Sequence, residues 1–264
     1  MNPVVIRIAL SFVVAGVWIA AATIFGERLG TKKAGLLANM PSNILVSLLF
    51  MALTRGPEYV SAATAGVPMG MMVDTVFIVI FIFSLRLSLG AALGLSLAAW
   101  AACSIFVLVV LPPLGFIESI IVYIVIAAIL LFLFVQAKLR VGKVEKKPVL
   151  FSWKIAALRA FFAGSVVAGA VTLAQVAPPY MTGVLATFPA ALTSTLVILT
   201  KSQGKAFAQA TGKMLILSSG NIIVYATCAG ILFPLIGPWL GTLVSFGVSI
   251  VFVLLLGKLT AKLR

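Results

Sequence analysis

The stretch Ala34-Gly-Leu-Leu-Ala-Asn-Met-Pro41 returns later in the chain as Thr182-Gly-Val-Leu-Ala-Thr-Phe-Pro189. The same ungapped spacing pairs Leu48 with Leu196, Gly56 with Gly204 and Ala62 with Ala210. Each copy puts its proline inside an apolar run, where the ring removes a helix hydrogen bond and clashes with the preceding turn. An internal repeat of this kind decides a fold before any single motif does. The segment ahead of it repeats approximately: Val13-Val-Ala-Gly16 echoes Val166-Val-Ala-Gly169, with Arg7 and Arg159 at nearly matching places in front.

The residues around the repeat set the class. The chain of 264 residues is 63% apolar and 9% charged, with a strongly positive mean hydropathy, a composition that excludes a soluble domain of this length. A transmembrane helix needs about 20 mostly apolar residues. Nine such spans are expected: Pro3–Gly26, Gly35–Thr54, Glu58–Leu85, Leu87–Leu111, Gly115–Ala137, Trp153–Ala177, Tyr180–Thr200, Gly204–Phe233 and Gly237–Leu259. The first is too long for a signal-peptide core and is read as a retained helix. Each repeat unit then holds four helices, and the fifth lies between them. An odd connector starts the second unit on the opposite face, so the expectation is an all-α polytopic membrane protein in a 4+1+4 inverted repeat. The units are residues 1–112 and 153–264, joined by helix 5 and a basic loop over 113–152.

A formal charge of +14 would suggest nucleic acid in a soluble protein. Here the basic residues sort by side. With the N-terminus outside, the cytoplasmic segments receive Arg28, Lys32, Lys33, Arg86, Lys138, Arg140, Lys143, Lys146, Lys147, Lys154, Lys201, Lys205, Lys258, Lys262 and Arg264, with Arg159 at a helix start; the outside receives Arg7 and Arg55. This is the positive-inside pattern of a multi-pass protein of the cell membrane, with lipid as its main partner and no nucleic acid. The basic stretch Leu139–Pro148 also suits anionic headgroups. The loop after helix 1 is basic whereas its counterpart, Gln175–Pro179, is uncharged, as an inverted second unit requires.

At Ala/Thr-Gly-Leu/Val-x-x-x-Met/Phe-Pro, residues 34–41 and 182–189, and at the turn Arg55-Gly-Pro-Glu58, the chain resembles the GlpM-like bacterial inner-membrane proteins of about four helices. Each half looks like one such protein, over most of the chain except helix 5 and the loop at 138–152. The second copy departs from the turn motif, reading Gln203-Gly-Lys-Ala206. The resemblance implies the fold rather than an activity.

Polar groups at bilayer depth are the candidates for function, because a charge there costs about 2.5–3.5 kcal/mol on insertion scales. Asp74 is the one acid well inside an expected span, with Pro68 and Gly70 just ahead. Lys213 lies on the matching helix of the second unit, followed by Ser218, Ser219, Gly220 and Asn221. The expectation is a midplane site between the units, formed by Asp74, Lys213 and the breaks at Pro41 and Pro189. Asp74 would take a proton or a cationic group, and Lys213 would pair with it or hold an anionic group. A purely structural Asp–Lys pair is the alternative. Asn39, Asn43, Thr187, Thr193, Ser194 and Thr195 flank the prolines and suit a solute or a neighbouring helix. Arg7 and Arg159, near helix ends, suit snorkelling to the interface as well as the site.

Enzyme chemistry lacks its usual side chains. The chain has no histidine, five scattered acids, two isolated cysteines and no Gly-rich phosphate loop, so neither a cofactor nor a metal is expected. The functional expectation is a secondary-transporter-like carrier of a small polar solute, coupled to protons at Asp74. A membrane scaffold or assembly partner for envelope biosynthesis, a channel and a lipid-handling protein are the alternatives. The topology is directly measurable: a reporter active only in the cytoplasm is expected to work at the C-terminus and fail at the N-terminus, and activity at the N-terminus would overturn the nine-helix arrangement.

Overall fold

The structure, a computed structural model, describes residues 3–28, 41–136 and 153–262; the side chains of residues 22–28, 134–136, 155, 210, 213–214 and 259–262 lie outside that description. Every regular element among the described residues is helical. The chain is an all-α polytopic membrane protein: among the described residues, eight helical spans, from Pro3–Ala21 to Pro238–Lys258, are long and apolar enough to cross a bilayer.

In chain order the first half contains α1 (Pro3–Arg28), α2 (Ser42–Arg55), α3 (Pro57–Ala63), a 3₁₀ turn (Thr64–Gly66), α4 (Val67–Ser84) and α5 (Leu89–Ile105), which runs on into a π-helical turn at Phe106–Val110. α6 (Phe116–Gln136) links the halves. The second half contains α7 (Trp153–Leu173), α8 (Pro179–Leu185), α9 (Ala190–Gln203), α10 (Lys205–Ser218), α11 (Gly220–Ile236) and α12 (Pro238–Lys262).

Two expected spans are corrected, and a third lies partly outside the described residues. The second is described only from Pro41 onward, where α2 is a shorter apolar helix; residues 34–40, the body of the first repeat motif, lie outside the described residues. The seventh is two helices, because α8 ends at Leu185 and α9 begins after Pro189. The eighth divides at Ser219 between α10 and α11. Around Pro68 the helix tightens into the 3₁₀ turn rather than unwinding, since Pro68 sits in the first turn of α4, where the N–H it lacks has no helical acceptor to lose.

The two copies share their local backbone. Pro41 caps α2 with φ −75° and ψ 54°, and Pro189 caps α9 with φ −78° and ψ 44°. Each accepts the matching bond, from the Leu45 and Thr193 amides at 2.9 and 2.8 Å. Gly56 and Gly204 both stand at φ 94°, a left-handed conformation that glycine enters without steric cost. The second turn motif has therefore lost its Pro-Glu but kept the residue that sets the chain reversal.

The α3–α4 rod is the most enclosed span, with 72% of its apolar window buried against 11% for Pro3–Ala21. α5, α6, α8, α10 and α11 pack around it, while α1, α5, α6 and α12 present apolar side chains such as Val13, Val109, Ile117 and Leu243 outward, as lipid-facing helices do. α1 and α7 cross reciprocally. A methyl group on Gly16 would approach the Ala160 carbonyl oxygen to 3.3 Å, and one on Gly164 would approach that of Phe12 to 2.7 Å. The spacing that takes Ala34 to Thr182 also takes Phe12 to Ala160 and Gly16 to Gly164, so this contact follows the main repeat, not the pairing of Gly16 with Gly169.

The tightest approach joins α3 to α8. A Cβ on Gly183 would lie 1.9 Å from the Ala63 carbonyl oxygen, and one on Gly66 would lie 2.2 Å from that of Tyr180. Both obstacles are backbone, so Gly183→Ala is expected to lower stability by at least the ~1–3 kcal/mol typical of overpacking. Gly169→Ala, where nothing lies within 4 Å, should stay within about 0.5 kcal/mol. Equal melting temperatures for the two variants would contradict this packing.

Candidate functional site

The stripe Gly66, Gly70, Asp74 occupies one face of the α3–α4 rod at four-residue intervals. With only hydrogen at Gly66 and Gly70, α8 lies against the rod; a Cβ on Gly70 would fall 2.3 Å from Thr187 Oγ1. The stripe therefore delivers the second unit's helix break to the level of Asp74. The result is a cavity of about 80 Å³ whose lining includes Pro41, Asn43, Asp74, Thr187, Pro189 and Ser218. At the ~30 Å³ that water occupies in the liquid, this is room for two or three waters or one very small solute.

Two helices begin at this cavity. Ser42, Asn43 and Ile44 of α2, and Ala191 and Leu192 of α9, are all in its wall. The first amides of a helix have no acceptor within it, and the aligned peptide dipoles place about half a positive charge at each N-terminus. Prolines at both N-caps force the two starts: Pro189 lacks an N–H to continue the ladder from α8, and the Phe188 and Thr187 amides close only local bonds to Leu185 and Val184.

Asp74 is the charged side chain in the wall, 2% exposed. Its Oδ1 accepts a hydrogen bond from the Trp100 indole Nε1 at 2.9 Å. The Trp100 ring also meets Phe188, with centroids 4.8 Å apart and planes at 80°. Across the cavity, Ser219 Oγ pairs with Tyr123 of α6 at 2.7 Å, so the connecting helix braces the junction between α10 and α11. Asn43 contributes a buried Oδ1 that has no hydrogen-bond partner among the described residues.

Of the residues singled out from sequence, Asp74, Asn43, Ser218, Pro41 and Pro189 come together here, with Thr187 beside them. Asn221 does not line the cavity: it is buried and accepts a bond from Ser249 of α12 at 2.8 Å. Ile222, one residue on and rotated by about 100°, takes the cavity position that Asp74 has in the first unit. Arg7 and Arg159 are outside the cavity too. Arg7 donates to the Leu53 carbonyl in the last turn of α2, a favourable place for a cation. Arg159 donates to Thr195 Oγ1 at 3.0 Å, so its head is held within the protein instead of snorkelling. Lys213 belongs to α10, but its side chain lies outside the described residues, as does the whole of Asn39.

Sequence reasoning missed Trp100. Its signal was available: Trp18, Trp153 and Trp239 fall near span ends, whereas Trp100 is in mid-span, where an indole N–H has to find an acceptor. No protein-family model, curated protein or solved structure matches the chain.

Asparagine in place of Asp74 keeps an acceptor for Trp100, whereas leucine strands the indole N–H. Asp74→Leu is expected to cost ~1–3 kcal/mol and Asp74→Asn much less, measured as melting temperatures in one detergent. Equal losses would mean that the indole bond is not what seats this side chain.

Proposed function

We propose that this membrane protein is a secondary carrier for a small anionic solute, taken up together with a proton on Asp74. The observation that carries the reading is the meeting of two helix N-termini, one from each repeat, on a cavity that also contains a buried carboxyl. Broken helices whose N-termini face an anion near the bilayer midplane are a recurring design of repeat-built transporters.

The magnitudes supply the coupling. Each N-terminus favours an anion by about 0.3–1 kcal/mol, up to about 2 when partly buried. An ionised Asp74 about 5 Å from a bound anion opposes it by roughly 3 kcal/mol at an effective dielectric near 20. The carboxylate thus offsets both helix ends, and a proton on Asp74 restores their pull. Solute and proton then bind together, which is symport. The first-turn amides of Ser42, Asn43, Ile44, Ala191 and Leu192 hold the anion, beside the Thr187 and Ser218 hydroxyls, which donate to the Val184 and Leu215 carbonyls at 2.8 and 3.2 Å. The cavity suits a solute of a few heavy atoms, a short carboxylate or an inorganic monovalent anion. Alternation follows if the inverted unit rocks against its mate around the site, in the cell membrane with the N-terminus outside. The GlpM-like resemblance of each half is compatible with this reading and adds no substrate.

Thermal stabilisation by formate, acetate, lactate and nitrate tests the reading, because a ligand that prefers the folded state raises apparent stability. The expected result is a shift at acidic pH that fades as Asp74 ionises, and a pH-independent shift in Asp74→Asn, which mimics the protonated acid. No shift from any anion at any pH, in either protein, would remove the anion site and favour a scaffold.

A further inference from the structure

Trp100 touches both moving parts of the proposed site. Its indole N–H bonds the proton-carrying group, Asp74, at 2.9 Å, and its ring meets Phe188, the residue before the Pro189 break, at 4.8 Å between centroids. Asp74 and Trp100 belong to the first unit and Phe188 to the second, so the side chain bridges the units at the cavity wall. We infer that Trp100 is the coupling residue of the carrier: it reads the protonation state of Asp74 and passes it to the second unit's helix break. This rests on the carrier reading above and names the part that links proton to conformation.

The physical step is a change in one hydrogen bond. An N–H donated to a carboxylate is charge-assisted and roughly twice as strong as one donated to a neutral acceptor. Ionised Asp74 therefore holds the indole firmly, with its ring set edge-on to Phe188. A proton on Asp74 relaxes that hold, and the ring and the Phe188–Pro189 corner are free to repack. The one covalent bond formed is the O–H of the protonated carboxyl; everything else that changes is hydrogen bonding and packing. Phe188 sits in the segment between α8 and α9, where its amide closes a local bond to Leu185 instead of an α-helical one, so a change in its packing partner acts at the junction of the two helices. The other titratable groups on the helices packed against α4 are Cys103 of α5, Glu118 and Tyr123 of α6, Tyr180 of α8, Lys205 and Lys213 of α10, and Tyr225 and Cys228 of α11. Asp74 alone among the acids and bases of these helices is bonded to the indole through a described contact.

The test makes Trp100 the sole tryptophan by Trp18→Phe, Trp153→Phe and Trp239→Phe, positions that are 38%, 71% and 63% exposed and keep an aromatic ring. Excited indole moves electron density away from its pyrrole ring, so a carboxylate charge at Nε1 shifts emission to the red and its neutralisation shifts it to the blue. The expected result is a sigmoidal blue shift on acidification, absent in Asp74→Asn. A flat response, or one that persists in Asp74→Asn, overturns the sensing step. For transmission, Ala191→Cys is placed in a background with Cys103→Ala and Cys228→Ala and labelled with a small neutral thiol reagent. Dividing its rate by that of the same protein carrying Trp100→Phe removes the thiol's own ionisation. The ratio should change severalfold across the pH range of the fluorescence transition, and a constant ratio overturns the relay. Anion-induced stabilisation with a flat Trp100 response would refute the coupling role while leaving the carrier standing; a Trp100 titration without any anion binding would refute the carrier instead.

Discussion

Ala63, Gly66 and Gly70 on one helix and Gly183 on another let two membrane segments touch backbone to backbone, and the arrangement around Asp74 depends on that contact. Lipid tails are as apolar as leucine, so helices in a bilayer gain little from burying side chains and much from close packing of small residues. With α8 held this close, its C-terminal end can only lie beside the next turns of α4, where Gly70 leaves room for Thr187 and Asp74 follows one turn later. The break at Pro189 then opens onto the carboxyl rather than onto lipid.

Asp74 would be hard to explain as a stabilising residue. Side-chain hydrogen bonds in membrane proteins average about 0.6 kcal/mol, whereas an aspartate at bilayer depth costs about 2.5–3.5 kcal/mol on insertion scales. One indole bond does not offset that. The second unit has a polar bridge at nearly the same place between the equivalent pair of helices, Asn221 to Ser249, and there a neutral amide suffices to tie α11 to α12. The first unit could have used the same solution, and the acid in its place points to a task that needs a titratable group.

Much of the fold was legible because a bilayer constrains helices by length and apolarity alone, and the repeated Gly-x₅-Pro segment located the breaks. The form of those breaks was not legible: from sequence, Pro189 is a break inside one expected span, and the structure shows α8 stopping at Leu185 and α9 starting again at Ala190. Around the site, Asp74, Asn43 and Ser218 could be picked out because polar atoms are rare at depth. Asn221 was misplaced because depth says nothing about azimuth; one residue along a helix turns a side chain by about 100°, which exchanges Asn221 for Ile222 at the cavity. Trp100 escaped notice because an indole reads as apolar bulk unless its single donor is followed to an acceptor.

Two of the contacts between the halves differ in a way that matters for motion. The α1–α7 crossing is reciprocal, with Gly16 against Ala160 and Gly164 against Phe12, and both helices carry largely lipid-facing side chains on their other faces. The α3–α8 contact is backbone on backbone at Gly66 and Gly183, and beside it the buried Tyr59 hydroxyl of α3 meets Thr182 Oγ1 of α8 at 2.8 Å. Translation there would collide or open a void, whereas rotation about the glycine contact can carry the Tyr59–Thr182 pair along with it. In the proposed carrier, a swivel at Gly66 and Gly183 would lie about two turns from Asp74 and would displace the distant ends of the helices far more than the cavity itself. A cavity beside the pivot, with access changing at the periphery, is the geometry that the proposed alternating access around a fixed site would require.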